Sequence, residues 1–204
     1  MNGAEYVAAK SAEYVAAKSA EYVAAMNRAV FLDRDGVINR TVLRNGLPFP
    51  PESVHDLEVL PGVPEALALL RSAGFKLVVV TNQPDVARGK QTRVEVEAIH
   101  EFLTRMLPLD AVKVCYHDDA DGCSCRKPLP GMLLEAAGEM ALDLPRSYMV
   151  GDRWRDIEAG ERAGTTTILV ENEYPEKKAG NPAARVGSLR EAAEWILARE
   201  KNAP

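Results

Sequence analysis

The sequence predicts a three-layer α/β fold, in which a doubly wound and mostly parallel sheet carries helices on both faces and no large cap domain is inserted. Three observations support this fold class. Short apolar runs alternate with helical patterns over most of the chain. One run contains three consecutive valines, which is typical of a strand buried on both faces. Polar residues directly follow several of the runs, at the strand ends where such sheets bind ligands.

The strands are predicted from short apolar runs. Residues 28–33 (RAVFLD) form a buried run that ends in an acidic residue, and residues 75–80 (FKLVVV) form the run of valines. Further strands are predicted at 111–116, 147–150 and 165–170. Because a helical pattern separates most of these strands from the next, parallel pairing through crossover connections is expected.

The helices are predicted from apolar spacing and from capping residues. Residues 61–73 carry apolar side chains at helical spacing and stop before Gly74. The helix at 92–107 begins with Thr92 and Glu95, which have the spacing of a capping box. Further helices are predicted at 131–140 and 156–163, and a last one follows Ser188 and ends near residue 201.

The first 25 residues differ from the rest of the chain. AEYVAAKS begins at Ala4 and again at Ala12, and a third copy starts at Ala20. A period of eight rotates each copy by about 80° around a helix, so no single apolar stripe persists. The segment is either an oligomerising helix or, as we favour, an appended extension. We therefore predict a repetitive helical extension at 1–25 without a catalytic role, and a catalytic domain at 26–204.

Composition narrows the class of protein. A net charge of -5 and a pI near 5.4 argue against nucleic-acid and membrane partners, which favour basic surfaces. No apolar span of membrane length and no signal peptide is recognisable. Three cysteines within eleven residues do not resemble a disulfide framework and fit a reducing compartment. These features predict a cytoplasmic monomer.

Two carboxylates follow the first strand. Asp33 and Asp35 are two positions apart, so in an extended backbone both side chains can face one site. Two adjacent acids repel each other unless a cation or a proton lies between them. In one interpretation Asp33 attacks phosphorus, while Asp35 protonates the leaving oxygen and later activates water. The alternative is a turn that merely favours Asp and Gly.

Polar residues also follow the next two strands. Thr81 and Asn82 can hold a phosphate oxygen, although they also suit a simple strand-to-loop cap. Lys127 can neutralise a phosphoryl group, and Arg126 can bind a second anionic or polyol part of a substrate. A basic pair in a loop is often only solvated, so this signal is weak in isolation.

An acidic residue follows the fourth strand. Asp152 comes after Gly151 and can complete an oxygen site for Mg²⁺, the hard cation suited to phosphoryl transfer. Asp156 lies four residues later and is as suited to fixing the loop or the helix start as to binding the metal directly.

A compact group of soft ligands precedes the basic pair. Cys115, His117, Cys123 and Cys125 suit a closed tetrahedral zinc site, without a vacant position for catalysis. The alternative is three incidental thiols. Since Arg126 and Lys127 follow the last cysteine directly, a structural Zn²⁺ in the loop at 115–125 would hold them in place.

Taken together, four segments resemble the successive motifs of the haloacid dehalogenase (HAD) superfamily of phosphatases. They are FLDRDGVIN, VVVTNQ, CRKP and VGDRWRD, and they extend over roughly residues 26–170. The resemblance implies a HAD-like fold, a phospho-aspartate intermediate and a catalytic Mg²⁺. It implies Asp33 as nucleophile, Asp35 as acid and base, Thr81 and Lys127 as phosphate ligands, and Asp152 as a metal ligand. Mg²⁺ would also contact Asp33 and the backbone carbonyl of Asp35.

The cysteine and histidine loop resembles one group within that superfamily, the heptose-bisphosphate and histidinol-phosphate phosphatases. The residues Ala87-Arg88-Gly89 after TNQ and Pro130-Gly131-Met132 after CRKP favour the heptose branch. The expected partner is therefore a small phosphorylated sugar, with histidinol phosphate as the alternative substrate. A different class of function also stays open, a zinc-stabilised binding domain that has lost turnover.

Overall fold

Six parallel strands form the central sheet of the computed structural model, which describes residues 27–44, 47–172 and 174–202. The predicted helical repeat at 1–25 lies outside the described residues. The strands of the sheet are β1 (Arg28–Leu32), β4 (Phe75–Asn82), β5 (Ala111–Cys115), β6 (Tyr148–Gly151), β7 (Thr166–Val170) and β8 (Ala184–Val186). A separate antiparallel hairpin consists of β2 (Val42–Arg44) and β3 (Leu47–Phe49).

The order of the strands places β1 at the centre of the sheet. The order is β5-β4-β1-β6-β7-β8, so the chain builds outward from β1 first on one side and then on the other. β1 pairs in parallel with both β4 and β6, which brings the carboxyl ends of these three strands together. Such a reversal of strand order leaves a crevice at that edge, where α/β proteins bind ligands.

Five helices cover the two faces of the sheet within the described residues. They are α1 (Val63–Ser72), α2 (Arg93–Met106), α3 (Gly131–Met140), α4 (Trp154–Ala163) and α5 (Leu189–Lys201). None of the helices in this part of the chain is both long enough and apolar enough to cross a membrane.

The side chains of β1 point alternately into the two hydrophobic clusters of the core. Val30 and Leu32 face a cluster formed with α1, α2 and α5, whereas Ala29 and Phe31 face a second cluster formed with α3 and α4. A strand with both faces buried has few polar positions, so the polar side chains come directly after its last residue. Asp33 is the first of them.

The predicted fold class is confirmed, and the bounds of the predicted strands and helices agree within two residues. The structure begins α4 at Trp154 and extends β4 to Asn82, two residues beyond the prediction in each case. Two features were not predicted. The β2–β3 hairpin contains Pro48 and is short, and β8 is an edge strand of three residues, so neither gives a clear alternating pattern.

The packing of α4 against the sheet gives a first prediction. A Cβ at Gly160 would come within 2.7 Å of both Met149 Cβ and Thr167 Cγ2. We expect Gly160→Ala to lower the free energy of unfolding by about 1–3 kcal/mol, because this core has no room for the added methyl group. Gly138, exposed in α3, is the matched control, since nothing lies within 4 Å of its Cβ position. Gly138→Ala should raise stability by about 0.5–1 kcal/mol. Urea denaturation measures both changes, and a Gly160→Ala variant as stable as the parent would contradict this packing.

Candidate active site

A cavity opens at the carboxyl ends of β1, β4 and β6. It brings together residues from distant parts of the sequence and places them beside the β2–β3 hairpin. Its wall is formed by Asp33, Asp35, Thr41, Pro48, Phe49, Pro50, Thr81, Asn82, Pro84, Asp85, Arg88, Lys127, Asp152, Arg153, Arg155 and Asp156.

Lys127 is the cation at the base of this cavity. Its Nζ is 2.8 Å from Asp33 Oδ1 and 2.5 Å from Asp156 Oδ1, and it donates to the carbonyl oxygen of Val80 at 2.7 Å. The side chain is almost completely buried. Burial lowers the pKa of a lysine, but the two carboxylates outweigh burial and raise the pKa of Lys127 above its ordinary value. Lys127 therefore stays charged.

Three buried carboxylates lie close together, and Lys127 pairs with two of them, Asp33 and Asp156. Carboxylate oxygens of Asp33, Asp152 and Asp156 all lie within 4.8 Å of one another. Burial raises the pKa of Asp33 to about 6, with Lys127 opposing the rise and Asp156 adding to it. Burial, followed by repulsion from Asp33 and Asp156, raises the pKa of Asp152 well above its ordinary value. The three groups repel one another and are only partly compensated.

These residues fit a divalent cation. Asp152 Oδ1 is buried and has no hydrogen-bond partner among the described residues. A buried polar atom without a partner destabilises the folded protein unless a ligand binds it. Carboxylate oxygens are the ligands that Mg²⁺ prefers, and two positive charges would relieve the repulsion that adds to the rise in the pKa of Asp33 and of Asp152. Asp33 and Asp152 are the first candidates for ligands. Asp156 is already engaged, because its Oδ2 accepts from the backbone N–H of Arg153 at the start of α4.

The turn after β1 is close to the same carboxylates. Gly36 has a φ of +91°, a conformation that side chains with a Cβ rarely adopt. A Cβ at this position would also lie 1.9 Å from Asp152 Oδ2. Because this residue is glycine, the backbone of the turn, which includes Asp35, can lie close to Asp152.

Asp35 lies at the edge of the cavity and is held by several donors. Arg34 Nη2 donates to both carboxylate oxygens, at 2.9 and 2.8 Å. Asn39 Nδ2 and Gln83 Nε2 donate one bond each, at 2.9 and 2.8 Å. Burial would raise the pKa of Asp35, but the Arg34 charge and the bonds from Asn39 and Gln83 outweigh it, so the pKa is lowered. Asp35 is ionised in this state.

His100 completes this arrangement from the opposite side of Arg34. Arg34 is fully buried, and its Nη1 lies 2.9 Å from His100 Nε2. Burial, and after it the charge of Arg34, lowers the pKa of His100 to about 4, so the ring is neutral and its Nε2 can accept from the guanidinium. Sequence reasoning did not identify Arg34 or His100. His100 occupies an apolar stripe of α2, and its distance of 66 residues from Arg34 left no local signal.

Thr81 and Asn82 lie at the end of β4, as expected, but they differ in what they contact. Thr81 is buried in the cavity wall, and its hydroxyl oxygen accepts from Gln83 Nε2 at 2.9 Å. Its hydroxyl hydrogen can then point to a phosphate oxygen. Asn82 instead binds the backbone of Lys127, donating to its carbonyl at 3.0 Å and accepting from its N–H at 3.1 Å. Asn82 therefore positions Lys127.

Arg126 lies beside the cavity and is absent from its wall. Its Nε donates to Asp119 Oδ1 at 2.8 Å, and its buried Nη1 has no partner among the described residues. Two of the arginines in the wall contact the same loop as Arg126. Arg155 contacts Asp119 at 3.0 Å, and Arg88 is paired with Asp118 at 2.6 Å. Three arginines thus hold the acidic tip of the cysteine and histidine loop against the cavity.

The four soft side chains converge in one cluster. The sulfurs of Cys115, Cys123 and Cys125 lie 3.2–3.6 Å apart, and His117 Nδ1 is 3.6 Å from Cys115 Sγ and 3.4 Å from Cys125 Sγ. All three cysteines are free thiols. Near-equal spacings among four ligand atoms form a small tetrahedron of the kind that Zn²⁺ occupies. The cluster ends directly before Arg126 and lies outside the cavity.

The neutral His100 gives a prediction on acid stability. Between pH 6.5 and pH 4 an unfolded histidine gains a proton, while folded His100 does not gain one until about pH 4. The unfolded state therefore binds more protons in this window, and the free energy of unfolding falls as the pH falls. His100→Gln keeps an acceptor for Arg34 but does not titrate, so it should lose less stability between pH 7 and pH 5 than the parent.

Urea denaturation at the two pH values measures this difference. The exposed His55 provides a matched control, and His55→Gln should keep the parent's pH dependence. An unchanged loss of stability in His100→Gln would show that His100 is not held neutral by its surroundings.

Comparison with known proteins agrees with these motifs. A family model described as HAD-hydrolase-like matches residues 124–192. The chain is 36% identical to the D-glycero-beta-D-manno-heptose-1,7-bisphosphate 7-phosphatase of Escherichia coli (strain K12) over 182 residues, which are 83% of this chain and 87% of the relative. It is 37% identical to the protein of that name from Vibrio cholerae, over 85% of this chain and 98% of the relative.

A solved structure is similar in fold and in sequence. It is the D,D-heptose 1,7-bisphosphate phosphatase from B. bronchiseptica complexed with magnesium and phosphate, with a TM-score of 0.70 and 33% identity. The similarity covers 84% of this chain and 99% of that one. The four motifs, the parallel sheet and these relatives agree, and the chain belongs to the HAD-like phosphatases, in the family of the D-glycero-β-D-manno-heptose-1,7-bisphosphate 7-phosphatases.

Proposed function

We propose that this HAD-like phosphatase removes one phosphate from D-glycero-D-manno-heptose 1,7-bisphosphate in a Mg²⁺-dependent reaction, with Asp33 as the nucleophile. One observation carries the proposal. Asp33, Asp152 and Asp156 are buried with their carboxylate oxygens close together, and the Asp152 oxygen that lacks a partner among the described residues is a ready metal ligand. The magnesium in the B. bronchiseptica complex supports the same metal.

The first half of the reaction transfers the phosphoryl group to the protein. An oxygen of Asp33 attacks phosphorus, the bond from phosphorus to the ester oxygen breaks, and that oxygen takes a proton from Asp35. Lys127 holds Asp33 Oδ1 at 2.8 Å, so the other carboxylate oxygen can point at the substrate. Thr81 donates its hydroxyl to the transferring group.

The second half releases phosphate. Asp35, now ionised, takes a proton from water as the water attacks phosphorus, and the bond to Asp33 breaks. Inorganic phosphate leaves, Asp33 is again a carboxylate, and Asp35 again carries a proton. Without substrate the pKa of Asp35 is lowered, so the first step needs a partner that raises it. A phosphate dianion beside the carboxylate has this effect, because like charges disfavour ionisation.

The bound Mg²⁺ would neutralise negative charge and orient the phosphoryl group. We propose Asp33, Asp152 and the backbone carbonyl of Asp35 as the residues that hold it. Asp156 supports the site indirectly, since its two oxygens bind Lys127 and the start of α4.

Recognition of the rest of the substrate is assigned to the arginines near the mouth of the cavity. Arg126 was expected to contact the substrate directly, and its buried Nη1, which has no partner among the described residues, supports that role. Arg88 and Arg155 already form part of the wall. A guanidinium binds a second phosphate or a pair of hydroxyls through its planar fork.

We propose that Cys115, His117, Cys123 and Cys125 bind a structural Zn²⁺. Their compact spacing supports this, and so does the lack of disulfides among them. The metal would hold the loop whose carboxylates Asp118 and Asp119 meet the three arginines, and so fix Arg126 and Lys127. We further propose that catalysis needs only residues 26–204, because each residue assigned above lies in that range. We also propose that the enzyme is a cytoplasmic monomer.

Removing the nucleophile should abolish turnover. Asp33→Asn keeps the shape of the side chain but loses the nucleophilic oxygen, so kcat should fall by roughly a thousandfold or more. Asp35→Asn should lower kcat by about a hundredfold or more through loss of acid and base catalysis. Phosphate release with Mg²⁺ present measures both effects. Asp56→Asn, at an exposed aspartate, is the matched control, and substantial turnover by a folded Asp33→Asn variant would refute the mechanism.

The zinc proposal predicts one tightly held zinc per chain. Cys125→Ser should release it, lower the melting temperature and lower kcat/KM, because the segment before Lys127 loses its anchor. Removal of Mg²⁺ should instead stop turnover reversibly without loss of zinc. Elemental analysis of the purified protein and thermal unfolding provide the measurements. Protein without stoichiometric zinc, or a Cys125→Ser variant of unchanged stability, would rule out a structural zinc site.

A substrate comparison decides between the remaining candidates. Phosphate release from heptose bisphosphate, heptose monophosphate, histidinol phosphate and a generic ester should give the highest kcat/KM for the bisphosphate. A preference for histidinol phosphate would favour the alternative substrate. Turnover of none of the four would favour a zinc-stabilised binding domain instead of an enzyme.

A further inference from the structure

The two oxygens of Asp152 have different surroundings. Oδ1 is buried without a partner among the described residues, whereas Oδ2 accepts from Asn172 Nδ2 at 3.3 Å. The hydroxyl of Tyr174 lies near the same carboxylate, since it and Asp152 Oδ2 are both within 3.2 Å of the Cβ position at Gly36. Asn172 and Tyr174 follow β7, in the segment that leads to β8. One strand end therefore supplies the carboxylate, and the neighbouring strand end supplies the groups that orient it.

Tyr174 also connects Asp152 to the other side of the cavity. Its hydroxyl oxygen lies 3.2 Å from Thr41 Oγ1, directly before the β2–β3 hairpin. A phenol that donates to a carboxylate can accept from a second hydroxyl, so Thr41 can donate to Tyr174 while Tyr174 donates to Asp152.

The residues around the Asp152 carboxylate are closely packed. A Cβ at Gly36 would lie 1.9 Å from Asp152 Oδ2 and 3.2 Å from the Tyr174 hydroxyl. The carboxylate is thus confined between the turn after β1 and the two donors after β7. Rotation of Asp152 away from the cavity would break the hydrogen bond from Asn172 and move the carboxylate away from the Tyr174 hydroxyl.

We propose that Tyr174, together with Asn172, is a positioning residue that fixes the orientation of Asp152 and so raises the affinity of the site for its divalent cation. The inference rests on the proposed metal site and adds residues that do not themselves contact the metal or the substrate. Groups that orient a metal ligand in this way commonly contribute about 10- to 100-fold in metal affinity.

Tyr174→Phe tests the proposal, because it removes one hydroxyl and keeps the ring. Mn²⁺ is the probe, with the free ion counted by electron paramagnetic resonance in the absence of substrate. We expect the Mn²⁺ dissociation constant to rise by about tenfold in Tyr174→Phe and in Asn172→Ala. In turnover assays the Mg²⁺ concentration for half-maximal rate should rise in parallel, while kcat at saturating Mg²⁺ should fall much less.

Two control variants separate the possible outcomes. Tyr116→Phe removes a hydroxyl remote from the cavity and should leave Mn²⁺ affinity unchanged, and Asp152→Asn should abolish binding. One outcome is that the parent binds Mn²⁺ and Asp152→Asn does not. If Tyr174→Phe and Asn172→Ala then bind Mn²⁺ as tightly as the parent, this inference is wrong while the metal site stands. If the parent binds no Mn²⁺, or Asp152→Asn still binds it, the metal site and this inference both fail.

Discussion

The active site depends on an excess of buried negative charge. Asp33, Asp152 and Asp156 are buried close together, and the ammonium of Lys127 pairs with Asp33 and Asp156. Like charges repel one another strongly in a low-dielectric site. Burial is the main cause of the raised pKa of Asp33 and of Asp152, and repulsion among the carboxylates adds to it. A divalent cation would relieve that repulsion, beside the carboxylate that we propose attacks phosphorus.

The fold creates this constraint by its strand order. With β1 between β4 and β6, the residues directly after three apolar strands meet at one edge, and each strand contributes a different function. β1 supplies Asp33, β6 supplies Asp152, and the backbone of β4 accepts a hydrogen bond from Lys127 at Val80. Further support comes from residues that hold the segment containing Lys127. Asn82 fixes the backbone of Lys127, and the cysteine cluster ends one residue before Arg126.

The sequence could predict those features that depend on residues close together in the chain. The fold class followed from apolar runs and capping residues, and Asp33, Thr81, Lys127 and Asp152 could be identified because each directly follows a strand or a motif. Contacts that depend on tertiary placement were out of reach. Arg34 with His100, and Tyr174 with Asp152, bring together residues from different elements, and neither pair has a spacing that indicates it. Arg126 was expected in the cavity, yet Asp119, seven residues earlier, binds it beside the wall.

The most direct test is a crystal structure of the protein with Mg²⁺ and beryllofluoride, a mimic of a phosphoryl group on a carboxylate. We expect beryllium to be bonded to an oxygen of Asp33, and Mg²⁺ to be bound by Asp33, Asp152 and the backbone carbonyl of Asp35. Thr81 should contact the fluorides, and Asp35 should lie on the side where water attacks. An adduct on a different residue, or a fully formed adduct with Asp152 not bound to the metal, would contradict the account.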